Sequence, residues 1–437
     1  MDKERVKPSI LPGFMELLPS DQILFNEMLD IIRKNYEKFG FLPINTPIIE
    51  KSEILLAKGG GETEKQIYRF EKGSNDLSLR FDLTVPLARY VAQYFPELNF
   101  PFKRYQIGKV YRGERNQRGR FREFYQCDID IVGNGKLDII NDAEIPSIMY
   151  STFKDLDFGD FTIKINNRKI LNGFFEWLNI EDRTGVLRAI DKIEKIGTGG
   201  VKKELSEIGI NMEAIDKIIE FIQIEGKNGD ILHSLRDMNI DNEEFQLGLE
   251  ELSLVADYVK YFGVPDENMA IDLTIARGLD YYTGTVYETF LDNHPDIGSI
   301  CSGGRYDNLS KYYTKQNLPG VGMSIGLTRL FYQLKEAKII ESKKESLVKA
   351  LIIPMGDCLK EGIAIANKLR DEGINIQVYL EESKMGKKFN YADKLEIPYV
   401  IILGPDELKD EKITIKNMKS GEQKMFEIEE GISFLKR

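Results

Sequence analysis

Apolar residues along this chain recur with two periods, and the switches between those periods divide it into elements. From about Ser20, the positions Ile23, Leu24, Met28, Ile31, Ile32 and Phe39 keep helical spacing until Gly40, which predicts a helix ending there. Residues 41–50 contain Pro43 and Pro47 and read as an extended edge strand. Residues 77–90 read as a strand running into a helix, with Pro86 near the helix start. A strand over 104–111 is followed by a loop and then by 121–132, where Cys127, Ile129 and Ile131 share one face and Gln126, Asp128 and Asp130 the other. Helical spacing returns over about 181–248, as in Ile215, Ile218, Ile219 and Ile222. Ile271, Leu273 and Ile275 then alternate as a strand that delivers Arg277 to a turn opened by Gly278, and 285–290 returns as a second strand. Residues 320–330 form a glycine-rich strand leading into a helix. After the charged linker 341–345 the order is strand (350–354), helix (359–370, closed by Gly373), strand (374–380), helix, strand (398–403). That βαβαβ order predicts a small, doubly wound domain.

Composition narrows the chemistry. At 437 residues the chain is long enough for two or three domains, and 42% hydrophobic with 30% charged residues is the balance of a soluble globular protein. Its charged start and the lack of an apolar run of spanning length predict neither signal peptide nor membrane anchor. Cys127, Cys301 and Cys358 are few, odd in number and far apart, which suits a reducing cytoplasm better than a disulfide framework. With His233 and His294 as the only histidines, neither a Cys/His metal site nor a Ser-His-Asp triad is expected. The chemistry must therefore rest on arginines, carboxylates and backbone. A net charge of −11 does not announce a polyanion binder, but the tail from Lys343 onward balances 17 basic against 17 acidic residues. Gly59, Gly60 and Gly61 lack the Lys-Ser/Thr of a phosphate loop, and Lys384, Lys387 and Lys388 read as surface basic residues.

The loop between the two central strands carries Arg112, Arg115, Arg118, Arg120 and Arg122 against the single early acid Glu114, with Gly113 and Gly119 allowing the backbone to turn. Guanidinium groups on a hairpin can clasp a polyphosphate, while the Gln126/Asp128/Asp130 face offers acceptors to a small cation.

The run 111–130 resembles motif 2 of class II aminoacyl-tRNA synthetases, and in detail that of histidyl-tRNA synthetases. The helix into the proline-bearing strand at 20–50 resembles motif 1, which builds the dimer interface. Residues 320–330 resemble motif 3. Arg277-Gly-Leu-Asp-Tyr-Tyr282 and Cys301-Ser-Gly-Gly-Arg-Tyr-Asp307 resemble the two signatures private to the histidyl family. The resemblance implies an α+β class II catalytic domain over 1–340, mainly antiparallel with flanking helices, carrying a helical insertion at about 181–248. It implies a C-terminal α/β anticodon-binding domain over 346–437. Arg112, Arg277 and Arg329 would be catalytic, with Arg112, Glu114 and Arg329 on ATP. Asp82, Thr84, Gln126, Asp130, Arg277, Tyr281, Tyr282 and Tyr306 would hold L-histidine. ATP with Mg²⁺, tRNA(His) and a second copy of the chain are the implied partners, in the cytoplasm and without a membrane. A non-catalytic relative, the regulatory subunit of ATP phosphoribosyltransferase, is the alternative. It typically lacks a tail domain and has degraded signatures, whereas Arg277, Arg329 and the tail stand here. A prolyl or threonyl enzyme fails on the two private signatures.

Overall fold

The computed structural model describes residues 6–57, 62–114, 119–275, 282–307 and 309–436. The chain divides into two compact units, one of residues 1–15 and 29–340, the other of residues 16–28 and 341–437.

The strands of the larger unit are β1 (Leu42–Pro43), β2 (Ile49–Lys51), β3 (Arg69–Lys72), β4 (Asn75–Leu79), β5 (Phe102–Tyr111), β6 (Glu123–Val132), β7 (Phe161–Asn167), β8 (Met269–Ile271), β9 (Thr285–Leu291), β10 (Cys301–Tyr306) and β11 (Gly320–Gly326). Eight of them form one sheet in the order β1-β5-β6-β11-β10-β9-β7-β8, and β2-β4-β3 form a small antiparallel sheet. In the large sheet only the end pairs, β1 with β5 and β7 with β8, run parallel. The centre is antiparallel because β5 and β6 form a hairpin paired over its full length, from Phe102↔Val132 to Tyr111↔Glu123.

The alternation in β6 decides which face of the sheet is core. Cys127, Ile129 and Ile131 are fully buried on one side, and the Tyr36 hydroxyl donates to the Cys127 carbonyl at 2.9 Å. Gln126, Asp128 and Asp130 lie on the other side, in register with Gly108, Gln106 and Arg104 of β5 and with Gly326, Ser324 and Gly322 of β11. Helix Leu327–Glu336 is locked to this sheet by its Thr328 hydroxyl, which accepts from the Tyr125 N–H at 2.8 Å.

The expected helical insertion is present, as helices Arg183–Ile190, Ile193–Glu207, Met212–Ile222, Asn228–Asp237 and Glu243–Tyr261. Ile215, Ile218, Ile219 and Ile222 face inward, and Phe221 stacks on Phe174 of helix Arg168–Trp177 with ring centroids 4.2 Å apart.

Three strand expectations need correction. The stretch 41–50 is two short strands in different sheets, β1 and β2, because Pro43 and Pro47 prevent continuous pairing. The strand at 269–275 stops at Ile271. The Asp272 side chain accepts from the Thr274 N–H at 2.9 Å and turns the chain, and the Leu273 and Ile275 carbonyls accept from Asn166 instead of from a neighbouring strand. Strands β8 and β9 are not neighbours, since β7 runs between them.

The smaller unit contains β12 (Ala350–Pro354), β13 (Ile376–Val378), β14 (Tyr399–Leu403), β15 (Lys412–Asn417) and β16 (Gln423–Glu427), in the order β13-β12-β14-β15-β16. The first three are the parallel βαβαβ core, while β15 and β16 add antiparallel and extend the predicted domain. Central β12 is buried along its whole length, with Ala350 and Ile352 in one apolar cluster and Leu351 and Ile353 in another. Lys387 and Lys388 stand on helix Met385–Lys394, so that basic run begins a helix.

Candidate active site

Three buried carboxylates lie close together at the centre of the large sheet, on or next to β6. Asp130 is buried between Arg104 of β5 and Tyr306 of β10. Arg104 forms an ion pair with it, and the Tyr306 hydroxyl donates to Asp130 Oδ1 at 2.8 Å. Asp128 accepts a weak 3.4 Å contact from Gln126 Nε2 and faces Ser324 in register across β6 and β11. Asp82 follows β4 and uses one oxygen, Oδ1, to accept the Val85 N–H at 3.0 Å, so it does cap helix Thr84–Gln93. Its other oxygen, Oδ2, and the Gln126 carbonyl Oε1 are buried with no hydrogen-bond partner among the described residues. Orphaned acceptors at such a place require a donor from outside.

These groups open into one cleft of about 350 Å³, also lined by Thr84, Arg112, Glu114, Tyr282 and Arg329. Arg112 donates from Nε to the Phe81 carbonyl at 3.0 Å and lies 5.1 Å over the Phe124 ring. Arg329 donates to the Ile297 carbonyl at 3.1 Å and to Gln333 at 3.2 Å. Glu114 is steadied by Arg120 at 3.4 Å, and its carbonyl accepts from Arg122 at 3.1 Å. Acceptors thus gather at one end of the cleft and guanidinium groups beside them, an arrangement suited to a ligand with an ammonium next to a phosphate.

Nine of the expected site residues, Asp82, Thr84, Arg112, Glu114, Gln126, Asp130, Tyr282, Tyr306 and Arg329, meet in this cleft. Arg277 and Tyr281 lie outside the described residues, as do Arg115, Arg118 and Gly59, Gly60 and Gly61. Sequence reasoning missed Arg104, which only the cross-strand register reveals. It also missed the role of the glycines. A Cβ on Gly322 would sit 2.4 Å from the Asp130 carboxylate, one on Gly320 2.5 Å from the Tyr306 ring, and one on Gly304 2.9 Å from Tyr282. Those positions are empty so that the pocket side chains fit. Arg305, inside the second signature, is structural, since its guanidinium is held by Asp142 at 2.7 Å, and Asp142 also accepts from Thr285 at 2.6 Å.

Burial pushes Asp82 up to about 6 from 3.8, against the pull of its Val85 hydrogen bond and of Arg112. Burial likewise raises Asp130 to about 6 and Asp128 to about 7, outweighing the attraction of Arg104 in both cases. A carboxyl whose pKa is higher folded than unfolded contributes stability below its unfolded value and loses it as pH rises through the folded value. The ligand-free protein should therefore lose stability between about pH 5.5 and 7.5, a window in which ordinary carboxylates have finished titrating. Urea unfolding midpoints across that window check this, and Asp82→Asn should flatten the slope. A midpoint that climbed with pH would mean the trio is not held as described.

An antiparallel sheet whose central hairpin carries a basic loop, with a glycine-rich strand and an arginine-bearing helix beside it, is the architecture of a class II aminoacyl-tRNA synthetase. The sequence pattern of the histidyl-tRNA synthetase family matches residues 13–330, and that of an anticodon binding domain matches 349–437. The chain belongs to the histidyl-tRNA synthetase family. It is 68% identical to the histidine–tRNA ligase of Clostridium tetani, with both chains covered in full, and 52% identical to that of Finegoldia magna, over 99% of this chain and 100% of the relative. The crystal structure of histidyl-tRNA synthetase from Nostoc sp. PCC 7120 superposes with a TM-score of 0.92 at 42% identity, covering 99% of this chain and 100% of that one. An ATP phosphoribosyltransferase regulatory subunit/histidyl-tRNA synthetase from Bacillus halodurans shares the fold, with a TM-score of 0.77 at 20% identity over 92% of this chain and 100% of that one.

Proposed function

We propose that this chain activates L-histidine with ATP and transfers the histidyl group to the 3′ end of tRNA(His). The observation that carries the reading is the pair of buried acceptors without a partner among the described residues, Asp82 Oδ2 and Gln126 Oε1, in a cleft flanked by Arg112 and Arg329. Asp82, Thr84 and Gln126 receive the ammonium. Asp130, Tyr306, Tyr282 and Tyr281 surround the imidazole. The histidine carboxylate, already ionised, attacks the ATP α-phosphorus, and the bond to the bridging oxygen breaks so that pyrophosphate leaves with that electron pair. No side-chain base is needed for this step, and positioning with charge neutralisation supplies the acceleration. Arg112 and Arg277 steady the charge that builds on the α-phosphoryl oxygens, and Arg329 lies against the nucleotide. A terminal ribose hydroxyl of the tRNA then attacks the activated carbonyl, and AMP leaves.

Mg²⁺ suits a site of this kind when it arrives on the nucleotide, needing few protein carboxylates. Glu114 is the carboxylate at the phosphate side of the cleft, and among the described residues no group of three or more metal-ligating side chains offers a separate site. The ion supplies further charge neutralisation on the phosphates. Residues 1–340 form the catalytic domain on this reading, and 346–437 the anticodon-binding domain. We read the protein as a cytoplasmic homodimer. Exposed Leu42, Ile48, Ile49 and Phe70, on or next to β1, β2 and β3, supply apolar surface for a second copy, and among the described residues no helix is long and apolar enough to cross a membrane.

Histidine-dependent exchange of pyrophosphate into ATP tests the first half of this reading, and its absence from the folded protein would overturn it. Truncation after Glu345 tests the second. Charging of tRNA(His) should fall by at least about 10-fold, because phosphate contacts dominate such affinities. Pyrophosphate exchange should fall only a few-fold, through the loss of the partners of residues 16–28. Equal loss of both activities would assign the tail to structural support alone.

A further inference from the structure

The polar face of β6 has one member with no part in the scheme above. Asp128 is 1% exposed, lies between Gln126 and Asp130 on the same face, and lines the same cleft. Its β11 partner in register is Ser324. Gln126 Nε2 donates to Ser324 Oγ at 2.8 Å and reaches toward Asp128 Oδ1 at 3.4 Å. The Ser324 hydroxyl has a single proton. With its oxygen accepting from Gln126, that proton is left to point at the Asp128 carboxylate, which Ser324 faces in register across β6 and β11.

This chain of bonds has a direction. Above its raised pKa of about 7 the Asp128 carboxylate is ionised and only accepts, so there the hydroxyl points its proton at Asp128 and turns its oxygen to Gln126. The Gln126 amide must then present its NH₂ group to the pair and its carbonyl away from them. A side-chain amide has nearly the same shape both ways round, and only its partners decide which end faces a ligand. Turned the other way, Gln126 would place its carbonyl against Ser324 and a carboxylate oxygen, and its NH₂ would face the ligand. The ligand end that Gln126 meets is an ammonium on the proposed reading, and an NH₂ there would repel it. The carbonyl oxygen is the atom left buried without a partner among the described residues.

We propose that Asp128 is a positioning residue which, through Ser324, fixes the direction of the Gln126 amide so that its carbonyl receives the amine of the amino acid. Asp128 itself touches no reacting atom. The proposal rests on the reading of this cleft as an amino-acid site and extends it to a residue that the resemblance does not include. It also accounts for a third buried carboxylate in a pocket that needs only two for its ligand.

The test is steady-state pyrophosphate exchange at about pH 8, where Asp128 is ionised, on five proteins, the wild type, Asp128→Asn, Ser324→Ala, the double variant Gln126→Glu/Asp128→Asn and, as its reference, Gln126→Glu alone. Asp128→Asn keeps the volume but lets the 128 side chain present either a donor or an acceptor, so the direction at Gln126 is lost. KM for histidine should rise about 10-fold, with kcat at saturating histidine within about 2-fold and KM for ATP unchanged. Ser324→Ala removes the middle link and should raise KM for histidine about 3-fold. In the double variant the 126 side chain offers an oxygen whichever way it lies, and the 128 amide can donate to it. KM should return to within about 3-fold of the wild type, while Gln126→Glu beside the intact Asp128 should be worse than the double.

A wild-type KM in Asp128→Asn overturns the proposal. So does a joint loss of kcat and ATP affinity, which marks a merely structural role, and so does a double variant no better than Asp128→Asn. Should Asp128→Asn fail to fold, an unchanged KM in Ser324→Ala overturns it on its own. Wild-type protein with no histidine-dependent exchange would instead remove the functional reading, and this inference with it.

Discussion

Asp130→Ala should cost the folded protein about 3–5 kcal/mol, because it removes the ion-pair partner of fully buried Arg104. Besides the Asp130 ion pair, the Arg104 guanidinium has only a long 3.4 Å contact with the Leu83 carbonyl, and its Nε and Nη1 have no partner among the described residues. The Tyr306 hydroxyl would lose its acceptor as well. At pH 7.5 Asp130 lies above its raised pKa of about 6 and is ionised, so the full pairing is at stake. Urea unfolding at that pH gives the measurement, and a wild-type midpoint would show that Arg104 finds another anion. Asp130→Asn separates stability from binding, since it keeps the Tyr306 acceptor while removing the charge. It should weaken histidine binding and leave ATP affinity nearly unchanged. The reverse pattern would move Asp130 out of the amino-acid pocket.

Arg112→Ala should lower the rate of adenylate formation by about 10²–10³ while the protein folds nearly as before. Among the described residues the guanidinium makes one hydrogen bond, to Phe81, and one ring contact, to Phe124, which together account for about 1–2 kcal/mol. Single-turnover pyrophosphate release with both substrates saturating isolates the chemical step. Arg112→Lys should recover little, since an ammonium cannot reproduce the planar fork against a phosphoryl group. Arg277→Ala should behave alike on the proposed scheme. A folded Arg112→Ala variant with near wild-type turnover would remove this arginine from the transition state.

Much of this architecture could be read in advance, and the reasons differ by element. The β5–β6 hairpin was legible because its alternation is unbroken and its loop is crowded with arginines that no core requires. The helical insertion was legible because its isoleucines keep a helical period. Leu273 and Ile275 misled because burial alone produces an alternating pattern, and nothing in it reveals that Asp272 has already turned the chain. Strand β15 alternates, with Ile413 and Ile415 buried, and could have been read, whereas β16 is the mostly exposed edge strand, where alternation is weakly enforced. Arg104 could not be recognised as the counterion of Asp130 until their register was known. Gly304, Gly320 and Gly322 each leave room for a neighbour's side chain, a property a linear pattern does not display.

The grouping of residues 16–28 with the tail has a consequence for how the protein is made. Phe25 and Met28, both buried in the finished molecule, are synthesised well ahead of the rest of their unit, which begins again only at 341. At ~5–20 residues per second, the roughly 300 residues in between take about 15–60 s to appear. Throughout that interval the first turns of the first helix carry an apolar stripe without its final cover, a natural target for chaperones that bind nascent chains. The smaller unit is thus complete only once its later segment has been made.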